Sequence, residues 1–119
     1  MNKTFKNAEM VGMMQSLKPI LNRRDKIGYV AARNYRILDN TLTEYKAFRN
    51  DLIKKYGEDD GHGSIEIKMD SPNFEIFMKE LEPLNNMEHE VDLMTAKFEE
   101  AIGSLSGEEI LSIDWMLND

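Results

Sequence analysis

The feature that most constrains this chain is an uninterrupted stretch from Asp25 to Tyr56. It contains no proline and a single glycine, Gly28, near its start. Within it Ala31, Tyr35, Leu38, Leu42, Tyr45, Leu52 and Tyr56 recur at alternating steps of four and three. Arg49 breaks the series, with Phe48 beside it. This spacing predicts one long helix with a heptad-like apolar seam. Asp25 suits its N-cap, Gly57 its end, and Lys54 and Lys55 the negative end of the helix dipole. About 30 residues at a 1.5 Å rise make a rod of roughly 45 Å. A chain of 119 residues is one domain's worth of material. Every other element must therefore be arranged along that rod.

Shorter signals supply those elements. Asn7 reads as an N-cap, and Met10, Val11, Met13, Met14 and Leu17 form a helical stripe that Pro19 stops. Thr4–Lys6 is too short to classify. Residues 58–63 read as a loop. Ser64–Met69 alternates, with Ile65, Ile67 and Met69 on the buried side of a half-buried strand. Ser71 and Pro72 read as N-cap and first helical residue of a helix bearing Phe74, Phe77, Met78 and Leu81, which Pro83 ends. Glu90–Phe98 reads as a second strand, with helix as the alternative for Thr95–Ile102. Ser106–Glu109 has the form of a capping box, opening a last helix through Ile110, Ile113, Trp115 and Leu117. The expected architecture is α+β and mostly helical. It is a single domain, 1–119, with one long central helix over about 25–56, three shorter helices, and a small antiparallel sheet of two or three strands. Those neighbours are numerous enough to cover the seam, which favours a monomer over a homodimer.

Charge is divided unevenly along the chain. Residues 1–57 hold 12 Lys/Arg against 5 Asp/Glu, and residues 58–119 hold 3 against 17, within a net charge of −7. Either the acidic half packs beside the basic half, or an acidic surface is left to dock on a basic partner. The carboxylates that would form such a surface are Glu58, Asp59, Asp60, Glu66, Asp70, Glu99, Glu100, Glu108 and Glu109. Direct nucleic-acid binding by Arg23, Arg24, Lys26, Arg33 and Arg36 is disfavoured, because the acidic excess repels a duplex at long range.

Motifs that carry chemistry do not appear. With no cysteine there is no disulfide scaffold, thiolate zinc site, iron–sulfur cluster or cysteine nucleophile. The two histidines, His62 and His89, lack metal-ligand spacing. Gly103-Ser104-Leu105-Ser106-Gly107 places Leu105 where a nucleophile elbow needs serine. No cofactor, metal or catalytic residue is expected. No apolar run is long enough for a membrane span, and no secretory leader is recognisable, so a cytoplasmic protein is expected. The nine methionines fill core gaps or line an adaptable groove.

Three segments resemble a family of small proteins encoded by phages and prophages of Gram-positive bacteria. They are Ile27–Asn34 with the run ending Leu52–Asp60, then Phe77–Leu84 followed by Glu88–Leu93, and finally Ile110–Leu117. The match spans nearly the whole chain in order. It departs where the family places a Leu-Pro pair directly before its long helix, since here Pro19 and Ile20–Arg24 intervene. The resemblance implies a phage origin and a location in the bacterial host cytoplasm or the virion, and it brings no assigned activity. The expected function is a non-enzymatic interaction module acting on a phage or host protein, as an assembly adaptor or chaperone. The alternative is an acidic inhibitor of a host defence nuclease, anti-CRISPR-like, by DNA mimicry or steric block.

Overall fold

The computed structural model describes all residues from Met1 to Asp119. The fold is α+β and mostly helical. Strand β1 (Asn2–Lys6) leads directly into α1 (Asn7–Leu17), and a single 3-10 turn over Lys18–Ile20 follows at Pro19. Next come α2 (Lys26–Thr41) and α3 (Thr43–Tyr56), then the hairpin of β2 (Glu58–Asp59) and β3 (Ile65–Glu66). Helix α4 (Phe74–Asn85) precedes β4 (Glu88–Asp92) and β5 (Ala96–Lys97). The chain closes with α5 (Phe98–Ala101), α6 (Gly107–Ser112), a 3-10 turn over Asp114–Met116, and β6 (Leu117–Asn118).

The long rod expected over 25–56 is divided at Leu42, whose φ of −90° and ψ of 7° leave the helical region. The cause is local. Thr41 Oγ1 donates to the Ile37 carbonyl at 2.8 Å, and Thr43 Oγ1 donates to the Asn40 carbonyl at 2.9 Å. Hydroxyls that take carbonyls of the preceding turn weaken the backbone ladder and bend helices. The Leu42 side chain is fully buried, so the interruption is anchored in the core.

Other boundaries moved for comparable reasons. Asn7 does not cap α1. It is buried inside the first turn, where its amide nitrogen donates to the Leu84 carbonyl at 2.8 Å and its backbone N–H to that of Met87 at 2.9 Å. Helix α4 starts at Phe74, after Asn73, because Ser71 Oγ and the Ser71 carbonyl hold Asn73 and Phe74 in a preceding turn. It continues past Pro83 to Asn85, since the ring removes only one donor, late in the helix. The strand expected over Ser64–Met69 shrinks to Ile65–Glu66, and Ile65 and Met69 are exposed. The second strand ends at Asp92, and α5 takes residues 98–101. The last helix stops at Ser112, leaving six helices in place of four.

The sheets are three separate two-stranded pairs. Strand β1 pairs antiparallel with β4, from Asn2 opposite Asp92 to Lys6 opposite Glu88. Strands β2 and β3 pair antiparallel, while β5 and β6 pair parallel, which the expected antiparallel sheet did not include. Asn34, fully buried on α2, closes the end of β4: its amide donates to the Met94 carbonyl at 2.9 Å and accepts the Met94 N–H at 2.7 Å.

The molecule has a head and an arm. The head consists of β1, α1, α2 and the segment from β4 to β6, with Met10, Leu17, Ile27, Leu38, Ile113 and Met116 among its buried side chains. The arm is α3, the hairpin and α4. Its helices run antiparallel: the Tyr45 hydroxyl donates to Asn85 Oδ1 at one end, and Asn73 Nδ2 reaches the Tyr56 carbonyl at 3.4 Å at the other. The radius of gyration is 17.0 Å, against about 13.5 Å for a compact chain of this length. The accessible surface is 7869 Å², against roughly 6,600 Å² for a compact monomer of this mass.

Candidate functional site

The nine candidate carboxylates fall into two groups. Glu58, Asp59, Asp60, Glu66 and Asp70 lie on or beside the hairpin, at the C-terminal end of α3. Glu99, Glu100, Glu108 and Glu109 lie on α5 and α6, beside the N-terminal end of α2. Several of them have local structural partners. Asp59 Oδ1 accepts the Gly61 N–H at 2.8 Å, and Asp60 Oδ1 accepts the His62 N–H at 2.7 Å. Glu109 completes the capping box at Ser106, and these hydrogen bonds hold its carboxyl below the usual carboxylate range. Glu100 pairs with Lys26 at 3.1 Å. Glu58, Glu66, Asp70, Glu99 and Glu108 form no ion pair. Glu58 stands directly opposite Glu66 in the hairpin register, a repulsive cross-strand pair.

The basic half is only lightly neutralised by the acidic half. Two side-chain ion pairs join them, Lys26 to Glu100 at 3.1 Å and Lys55 to Glu80 at 3.9 Å. Arg23 pairs with Asp25 two residues further on, which raises the guanidinium pKa and lowers that of the carboxyl. Arg24, Arg33, Arg36, Arg49 and Lys54 pair with no carboxylate. His62 is exposed in the hairpin turn and His89 is half-buried opposite Phe5, so the imidazoles lie on different sheets.

A groove of about 410 Å³ opens where α1, α3 and α4 meet. Tyr45, Phe77 and Leu81 form its buried base, with Val11 and Ile53 on its walls. Met78 lies along it and remains 41% exposed. Burial pushes the Tyr45 hydroxyl pKa up, so this hydroxyl stays protonated as the donor to Asn85. Arg49 is the groove's one charged lining residue. Phe48, 59% exposed, belongs to the same helix. The structure thus gathers Tyr45, Arg49, Ile53 and Met78, none of which was among the sequence candidates for partner binding. Their signal was present: the break in the seam at Arg49, the aromatic beside it, and a methionine on an amphipathic helix.

No protein-family model matches the chain, and neither a curated protein nor a solved structure matches it.

Proposed function

We propose that this protein is a non-enzymatic interaction module that works by docking through its arm. The observation that carries this reading is the distribution of burial. Only Tyr45 is buried among the residues of α3, and only Phe77 and Leu81 among those of α4. Apolar side chains left in water beside an open groove favour association with a further surface. The resemblance to phage-encoded proteins supplies the class of partner, a phage or host protein, and with it an adaptor or chaperone role in assembly.

The test is site-specific photo-crosslinking in a Gram-positive host, with the reactive side chain at Met78 or, for comparison, at Leu111 on the head, which is 78% exposed. Discrete protein adducts at position 78 and few at position 111 are expected. Equal labelling at both positions would end the assignment of docking to the arm. The nuclease-inhibitor reading draws on the unpaired carboxylates of the hairpin. Complexes formed that way weaken steeply with salt, whereas docking on apolar surface does not.

A further inference from the structure

We infer that the arm is occupied by a second copy of this chain, so that two α3–α4 pairs close into a four-helix arrangement. This rests on the reading of the arm as the docking surface and names its occupant.

Surface area is the first argument. Each copy exposes roughly 1,200 Å² more than a compact chain of its mass, above the ~800 Å² that each partner buries in a standard interface. A two-helix layer with one face open is half of a four-helix bundle, and its own copy is the other half.

Charge supplies the second argument. Helix α3 carries Lys46, Arg49, Lys54 and Lys55 against Glu44 and Asp51, while α4 carries Glu75, Glu80 and Glu82 against Lys79. One helix is net basic and the other net acidic by the same amount. Because Tyr45 stands beside Asn85 and Tyr56 beside Asn73, Arg49 is level with Glu80 and Leu81, about one residue from Glu82. A two-fold axis parallel to the helices lays each α3 over the other copy's α4 at unchanged height. Arg49 of one copy then meets Glu82 of the other, twice per dimer, and neither residue has an ion-pair partner within its own chain. Glu82 follows Met78 by four positions, and Met78 lines the groove, so the two share one side of α4. Met78 is level with Asp51 and Leu52, and packs over Leu52 and Ile53 in the other copy. The contact is isologous, as dimers of identical chains require. An axis perpendicular to the helices would stack α3 on α3 and bring basic residues together.

The experiment is sedimentation equilibrium from micromolar to submillimolar concentration, with circular dichroism to confirm the fold. Twice the monomer mass of 13.8 kDa is expected. Met78→Asp raises the dissociation constant by on the order of thirtyfold. Arg49→Glu and Glu82→Arg each raise it about threefold to tenfold, and the double variant R49E/E82R restores it. Leu111→Asp on the head leaves it unchanged. A monomer at every concentration, or a dimer indifferent to Met78→Asp, overturns the proposal, as does a double swap that fails to restore the dimer. Adduct mass in the crosslinking experiment separates the two readings. Doubled chain mass at position 78 supports self-association, while foreign adducts alone overturn it and leave the docking function standing.

Discussion

Helices α2 and α3 follow one another with a single residue between them, yet they live in different surroundings. Six residues of α2 are buried, while α3 buries Tyr45 alone. Of the twenty core residues, three come from the arm, namely Tyr45, Phe77 and Leu81. The two helices continue one apolar seam, so the difference is one of neighbours. Helix α2 is covered by α1 on one side and by the β4–β5 segment on another. Helix α3 has α4 and the hairpin strand β3 beside it and open solvent beyond. An amphipathic stripe sets what a helix can bury, and the number of layers around it sets what it does bury.

The sharpest way to break this comparison is to remove the same kind of atoms from both regions. Leu17→Ala empties a fully buried site in the head and is expected to cost about 2–5 kcal/mol in urea denaturation. Asn34→Ala comes next, since it strips both partners from the Met94 backbone, at about 2–3 kcal/mol. If either variant melts no earlier than the wild type, the head is not the stable region.

The arm offers smaller effects. A Cβ at Gly57 would lie 2.5 Å from the Ile53 carbonyl oxygen and 2.7 Å from that of Glu66. Gly57→Ala should therefore loosen the junction of α3 and the hairpin by about 1–2 kcal/mol, seen as faster amide exchange there and not in α1 or β1. Protection confined to wild-type levels would show that the junction tolerates the methyl group.

At the start of α2, Asp25 accepts the Gly28 N–H at 3.2 Å and pairs with Arg23. Asp25→Ala is expected to cost about 1 kcal/mol. The Arg23 hydrogen bond and that from Gly28 lower the carboxyl pKa. This stabilisation is therefore present above the ordinary carboxylate pKa and is lost as pH falls through the lower folded value. The variant's melting temperature should converge on that of the wild type in acid, and a constant gap down to the acid limit would contradict this assignment. The smallest effect belongs to Phe48→Ala, expected within ~0.5 kcal/mol of wild type at concentrations where the chain is monomeric.

Two signals that span a single turn carry directly into the structure. The Asp25 cap and the Ser106–Glu109 capping box span three residues each, and both form as written. The division at Leu42 also had a local sign in Thr41 and Thr43, which the regularity of the seam outweighed. Asn7 has the local form of an N-cap, but its partners are remote: the Leu84 carbonyl it binds lies 77 residues away. Alternation assigns Ile65 and Met69 to one face of a strand but does not show whether anything covers that face, and both are exposed. The acidic candidates were identifiable by composition, whereas their separation into two groups follows from where α2 begins and α3 ends.

The Asp25 and Ser106 caps, the helix-forming stretches and the division of charge were therefore settled by the order of amino acids, because each depends on residues a turn or two apart. The tertiary structure decided which apolar faces are covered, that β1 finds β4, and that the arm stays open. Those outcomes depend on contacts across dozens of residues, where burial is a property of the neighbours and not of the segment.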